Sequence, residues 1–260
     1  MCGIFGFALE KPVPLVKVFR ILRKLEVHQY PQEPRPVGGY GAGVAIFNNS
    51  GIKLEKVGAI GGSPTERLSE IVQIKEASLL IGHVRMPSPE FMETAKFKET
   101  AQPYLANCSP TATVVSAHNG KAENYTEIRG NLGKPHVFES EKLGLIDSEV
   151  IPHFFEELLK QKATVEEARD ALFTGLEGSN AISLLQIEGE NVFLHFVHKG
   201  KTRGLTIWKN GQDELIFCSR KEPLTDEFGE IIEQGRFKEV VSIPYRKDVN
   251  LRESFVLKLN

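Results

Sequence analysis

The stretch Met1-Cys2-Gly3-Ile4-Phe5-Gly6-Phe7-Ala8-Leu9 decides how the rest of the chain is read. Its apolar, glycine-punctuated run suits a buried strand that holds the chain end inside a core. A cysteine directly after the initiator is one cleavage from being the N-terminal residue. Removal of Met1, which we expect, leaves Cys2 with a thiol and a free α-amine. The thiolate is the nucleophilic form of cysteine. An α-amine titrates at about 7.7–8.0, close enough to neutrality to act as the base that generates it. On position alone the commoner reading is an incidental small hydrophobe in a starting strand. The remaining motifs reverse that weighting.

Outward from this strand, Pro12 and Pro14 predict a turn. Leu15, Val18, Phe19, Leu22 and Leu25 then recur at helical spacing, with basic residues between them. Residues 28–41, rich in proline and glycine, read as a surface loop ordered near something. Ala42–Phe47 and Ile52–Gly58 predict a hairpin through Asn48-Asn49-Ser50-Gly51. Ser63-Pro64-Thr65-Glu66 has capping-box form and opens a helix to about Ile74. Ser78–Val84 predicts a buried strand, followed by a polar loop to about Thr111 and a strand over Ala112–Ala117. Helices are expected over 122–132, 148–160 and 165–176, the last with Thr164 and Glu167 at capping-box spacing. Strands follow at 180–187, 191–198, 204–208, 214–219, 238–243 and 254–259. Many antiparallel strands with helices grouped between them imply an α+β layered architecture, and no linker divides residues 1–260.

Composition narrows the function classes. Across 260 residues, 32 basic groups face 34 acidic ones, which gives no reason to expect a broad basic surface for nucleic acid or an anionic membrane. No apolar run is long enough to span a bilayer, and no basic segment precedes the N-terminal strand as in a secretory signal. The three cysteines, Cys2, Cys108 and Cys218, lack Cys-x-x-Cys spacing. A disulfide framework or zinc ribbon is therefore not expected, and a reducing cytoplasm fits the set. Cys108 and Cys218 read as structural, and neither a metal nor another cofactor is expected.

Three further stretches hold groups suited to chemistry. Gly82-His83-Val84-Arg85-Met86-Pro87-Ser88 offers a guanidinium and, three residues on, a hydroxyl, a pair suited to a carboxylate. Alone it equally describes a surface arginine after a strand. In Ala117-His118-Asn119-Gly120, the Asn119 amide and the Gly120 N–H form the donor pair an oxyanion hole requires, although Asn-Gly is also an ordinary hairpin turn. Ile146-Asp147-Ser148-Glu149-Val150 puts a carboxylate at a helix start, where Asp147 suits either a substrate ammonium or a plain N-cap.

Together these stretches resemble the class-II, N-terminal-nucleophile glutamine amidotransferases, whose glutaminase domains occur in glucosamine-phosphate synthase and glutamate synthase. The Cys2-Gly3-Ile4-Phe5-Gly6 start, Gly82-His83-Val84-Arg85, His118-Asn119-Gly120 with Glu123-Asn124-Tyr125 and Ile128-Arg129, and Asp147-Ser148-Glu149-Val150-Ile151 follow that family's order. The resemblance implies an αββα four-layer N-terminal-nucleophile hydrolase sandwich with two antiparallel sheets, as one domain over 1–260. It implies Cys2 as nucleophile on the side-chain amide of L-glutamine, with Asn119 and Gly120 stabilising the oxyanion. Arg85 and Ser88 would hold the α-carboxylate, Met86 would line the substrate side, and Asp147 would hold the α-ammonium. Where the family pattern reads Arg-Trp-Ala-Thr-His, this chain has Arg85-Met86-Pro87-Ser88-Pro89. Ser88 can replace the threonine, but Met86 and Pro89 alter the pocket wall.

The expected activity is therefore glutamine hydrolysis to glutamate and ammonia, with the ammonia taken by a separately encoded synthase subunit. Three alternatives stand beside it. The first is an N-terminal-cysteine hydrolase of another amide, against which Arg85, Ser88 and Asp147 argue. The second is a catalytically silent regulatory domain, motivated by Met86 and Pro89. The most remote is a papain-like enzyme that pairs its cysteine with His118.

Overall fold

The computed structural model describes residues 2–48, 51–133, 135–211 and 213–257. The opening strand, β1 (Gly3–Pro14), lies centrally in a seven-stranded sheet. Its odd-numbered side chains Phe5, Phe7 and Leu9 face one way, and Ile4 and Ala8 face the other. Both faces are buried, so the run is apolar throughout instead of alternating. The other strands of this sheet are β2 (Gly41–Asn48), β3 (Gly51–Gly58), β4 (Glu76–Val84), β9 (Leu205–Lys209), β10 (Leu215–Cys218) and β11 (Lys238–Ile243). Their order is β11-β9-β10-β1-β4-β2-β3, with antiparallel pairing throughout.

The second sheet, ordered β12-β8-β7-β6-β5, contains β5 (Tyr104–Ala106), β6 (Thr113–Gly120), β7 (Asn180–Glu188), β8 (Asn191–Lys199) and β12 (Leu251–Leu257). Ile4, Ile81, Val115, Leu185, Phe196 and Phe217 belong to the apolar layer between the sheets. On the outer face of the first sheet lie α1 (Leu15–Val27), α2 (Pro64–Ile71) and α6 (Lys221–Gln234). The second sheet is covered by α3 (Tyr125–Asn131), α4 (Val150–Gln161) and α5 (Val165–Gly175). Two helical layers thus enclose two antiparallel sheets, the expected αββα sandwich. No helix among the described residues is long and apolar enough to cross a membrane.

Close packing between the sheets makes Gly6 irreplaceable. A Cβ there would collide with the Phe217 ring and the Leu80 carbonyl. Gly6→Ala is expected to destabilise the fold by about 1–3 kcal/mol, as overpacking does; equilibrium urea unfolding checks this.

Several expectations are corrected. Strand β1 runs on through Pro12 and Pro14, with an irregularity between Ala8 and Val13. Its pairing with β10 ends at Ala8, so beyond that point one flank is free of a ladder and proline is tolerated. The Ser63 side chain accepts the Glu66 N–H, but the Glu66 carboxylate meets Arg23, so the reciprocal half of that capping box is missing. The Thr164–Glu167 capping box is complete. Strand β5 lies inside the expected polar loop, and α6 falls where no element was expected. Leu224 and Phe228, four residues apart, bury the inner side of α6, and the Phe228 ring packs edge-on against Phe5 at 5.5 Å. Its Pro223 sits in the first turn, where no N–H is needed. Asn49 and Ser50 of the expected hairpin turn, and the end of the expected 254–259 strand, lie outside the described residues, as does Met1.

Candidate active site

Three strand ends converge at one end of the sandwich. Cys2 immediately precedes β1, and Gly3 pairs with Val84 at the end of β4, which brings Arg85 and Met86 beside the cysteine. From the opposing sheet, β6 delivers Asn119 and Gly120. A cavity of about 380 Å³ opens here; its walls include Cys2, Arg85, Met86, Ser88, Gly120 and Asp147. Six of the seven residues singled out in the sequence therefore share one cavity. The seventh, Asn119, is fully buried and reaches the site through Cys2.

The Cys2 sulfur is held by backbone. Its Sγ accepts the Met86 N–H at 3.4 Å and lies 3.6 Å from the Met86 carbonyl oxygen. Met86 thus contributes through its main chain as well as through its place on the wall. The Cys2 nitrogen donates to Asn119 Oδ1 at 3.1 Å. With its oxygen so engaged, the Asn119 amide nitrogen is oriented too, and this Nδ2 is buried with no hydrogen-bond partner. A buried unsatisfied donor costs about 1–3 kcal/mol, and it leaves Nδ2 free to take a partner. Asn119 and Gly120 do not form a hairpin turn. They end β6 in register with Ala181 and Asn180 of β7. A side chain at Gly120 would strike the Ser179 carbonyl, so only glycine lets the backbone lie this close.

Charge is split across the cavity. Arg85 is 3% exposed, and burial lowers its pKa, with Tyr104, Cys2 and Asp147 acting in the opposite direction. Asp147 is also buried and lies in a single helical turn, Asp147–Glu149, ahead of α4. It is not the helix N-cap, which is Glu149; instead its Oδ2 accepts the Ala122 N–H at 3.1 Å. Burial raises its pKa from 3.8 to about 6, against the lowering effect of the Ala122 N–H.

The sign of that displacement fixes a stability trend. The folded state holds the Asp147 proton more tightly than the unfolded chain does. This group's contribution to stability is therefore largest below pH 4 and is lost as pH rises to about 6, a cost of about 3 kcal/mol at pH 7. Asp147→Asn is expected to remove that component of the pH dependence of unfolding between pH 4 and 7, with little change at pH 4; urea melts across the range measure it.

Behind the cavity lies a buried polar network that the sequence did not disclose. The Gln102 side chain accepts the His118 N–H at 2.7 Å and donates to the His118 carbonyl and to Ser148 Oγ, both at 3.1 Å. The His118 ring bonds Ser148 Oγ through Nδ1 and Asn180 Oδ1 through Nε2, each at 2.9 Å. Burial drives its pKa down to about 3. Both ring nitrogens are occupied by these neighbours, which leaves a papain-like role for His118 without support. The network instead ties the turn carrying Asp147 to the strand end carrying Asn119. Residues 28–41 also reach the site. Pro34 and Arg35 line the cavity, and buried Glu33 pairs with Arg203 and Arg220. Arg203 and Tyr245, far along the chain, complete the wall without any local motif to announce them.

Known proteins resemble this chain. A family model described as a glutamine amidotransferase domain matches residues 91–226. The glutamine–fructose-6-phosphate aminotransferase (isomerizing) of Bacillus thuringiensis subsp. konkukian is 30% identical over 261 aligned residues, covering 99% of this chain and 37% of the relative. The enzyme of the same name from Sulfolobus acidocaldarius is 29% identical, covering 88% of this chain and 32% of the relative. The chain spans about a third of the length of these curated relatives. Among solved structures, the glutamine phosphoribosylpyrophosphate amidotransferase of B. subtilis superposes with a TM-score of 0.58 at 20% identity, covering all of this chain and 50% of that one. At that identity the likeness concerns the fold, and it agrees with the two-sheet sandwich described above. Since the family model spans over half of the sequence, the chain belongs to the glutamine amidotransferase domain family, of the class-II N-terminal-nucleophile kind, whose substrate is glutamine.

Proposed function

We propose that the chain hydrolyses the side-chain amide of L-glutamine through Cys2, after removal of Met1, and yields glutamate and ammonia. Cys2 Sγ attacks the amide carbon while the freed α-amine takes the thiol proton and passes it to the departing nitrogen. The C–N bond breaks, ammonia leaves, and a γ-glutamyl thioester remains on Cys2. Water, deprotonated by the same amine, then releases glutamate and restores the thiol. Asn119 Nδ2 and the Gly120 N–H serve the oxyanion in both steps. Arg85 and Ser88 take the α-carboxylate and Asp147 takes the α-ammonium, which aligns the side-chain amide on the sulfur. The ammonia is passed to a synthase unit.

The observation that carries this reading is the Asn119 amide. Its oxygen engages the Cys2 nitrogen, and its own nitrogen is left buried and unpartnered. The opposed Arg85 and Asp147 charges in one cavity favour an amino-acid head group over other amides. The direct test is steady-state release of glutamate and ammonia from glutamine in equal amounts. Asp147 must be ionised to hold the ammonium, so below about pH 6 kcat/KM is expected to fall more steeply than protonation of the α-amine alone would make it. Asp147→Asn is expected to raise KM and to remove that additional fall, leaving only the limb of the α-amine. Turnover of a simple amide in preference to glutamine would overturn the assignment.

A further inference from the structure

On the far side of the second sheet, a group of side chains outside the catalytic cavity remains unused by the reaction. Cys108 follows β5, His136 lies in the connection after α3, and His153 and Glu156 sit one turn apart on α4. One donor atom from each lies within 4.8 Å of every other. Three of the six donor pairs stand at ligand spacing. Cys108 Sγ is 3.6 Å from His153 Nδ1, the two Nδ1 atoms of His136 and His153 are 3.3 Å apart, and Glu156 Oε2 is 3.4 Å from His136 Nδ1. A tetrahedral zinc with bonds of about 2.0–2.1 Å to nitrogen or oxygen and about 2.3 Å to sulfur has edges of about 3.3–3.4 Å between N/O donors and about 3.6 Å to sulfur.

Hydrogen bonding alone does not satisfy the cluster. Two imidazole nitrogens face each other, and a single proton on His136 Nδ1 can serve His153 or Glu156, not both. Glu156 Oε2 is fully buried and has no hydrogen-bond partner. Its other oxygen is fixed by the N–H groups of Cys108 and Ser109, each at 2.7 Å, which aims Oε2 inward. His136 Nε2 lies 3.4 Å from Glu157 Oε2, an outer carboxylate placed to hold the tautomer that leaves Nδ1 as a lone pair. Cys108 is partly exposed and gives an ion a way in. A divalent cation with one thiolate and one carboxylate buries no net charge, whereas the same carboxylate alone in the core is costly.

We infer that Cys108, His136, His153 and Glu156 form a structural site for a zinc-class divalent cation. Four protein donors leave no open position for substrate, the mark of a structural rather than a catalytic centre. The ion would staple residues 107–109 and the connection around His136 to α4, the helix entered from the Asp147–Glu149 turn. The ligands come from three separated segments, and only His153-x-x-Glu156 is local, so no sequence motif marks the site.

The test uses the chain of residues 1–260 and metal alone. After incubation with zinc and desalting, about one zinc per chain is expected by elemental analysis. Chelation is expected to lower the unfolding midpoint by about 5–15 °C. Cobalt(II) in place of zinc should give intense tetrahedral ligand-field bands and a thiolate charge-transfer band. These bands should persist in Cys2→Ala, which removes the catalytic thiol as their source, and should vanish in Cys108→Ser. Sub-stoichiometric zinc, weak octahedral cobalt bands, or a thiolate band that disappears with Cys2 would overturn the site and leave a hydrogen-bonded cluster only. The Cys2→Ala spectrum decides the matter even if Cys108→Ser does not fold. None of these readouts depends on glutamine turnover.

Discussion

Cys2→Ala is expected to lower kcat for glutamate release by about 10⁴-fold or more, the scale on which nucleophile removal acts in enzymes with a covalent intermediate. The substitution deletes one buried sulfur, and the strand that follows is held by its ladders to β4 and β10. Unfolding midpoints should therefore change little, and the loss can be attributed to chemistry. A second variant separates nucleophile from base. An uncleavable extension ahead of Cys2 keeps the sulfur beside Met86 but turns the α-amine into an amide, which cannot take a proton. The extended protein is expected to lose activity to a similar degree, while its thiol remains available to a small alkylating reagent. Intact mass identifies which terminus each preparation carries. Normal turnover by the extended protein would mean that some other group accepts the thiol proton, and the N-terminal mechanism would fail.

The parts of this site that were legible in the sequence are those where chemistry and strand ends coincide. Cys2 precedes an apolar run and Arg85 and Asn119 follow or end one, and such runs announce themselves by their composition. Their convergence depends on β1 pairing with β4 and on the two sheets stacking. The sequence supported this pairing only through the order of its motifs. The network behind them was silent for a physical reason. Gln102 and Ser148 are ordinary polar residues whose burial is decided by sheet stacking, and Asn180 opens β7 as any strand might. Helix α6 was missed because Pro223 and Gly229 break the pattern that Leu224 and Phe228 complete. The alternative reading of Asp147 as a plain N-cap does not hold, because its carboxylate finds the Ala122 N–H across the fold instead of a donor in its own helix. Local propensity named a plausible partner, and tertiary structure supplied a different one.

Asn119→Ala is expected to lower kcat for glutamine by about 10²–10³-fold, the cost of about 2.7–4 kcal/mol that follows loss of one oxyanion donor. KM should change much less, because in the proposed mechanism the α-carboxylate and α-ammonium are held by Arg85 and Asp147, not by this amide. The alanine variant has one ambiguity: it also removes Oδ1, the acceptor of the Cys2 N–H at 3.1 Å. Asn119→Asp resolves it. The aspartate keeps an oxygen for the Cys2 nitrogen and replaces the unpartnered Nδ2 donor with a second oxygen. If Asn119 acted only by positioning Cys2, the aspartate would preserve the reaction. If the amide nitrogen serves the transition state, the aspartate puts negative charge where negative charge must develop, and it should be slower than alanine. The ratio of the two kcat values therefore reads out the role of a single N–H group. Thermal unfolding of both variants guards against a trivial loss of fold, since Asn119 is fully buried. An Asn119→Asp enzyme as fast as the parent would eliminate Nδ2 as the oxyanion donor and leave Gly120 to carry that role alone.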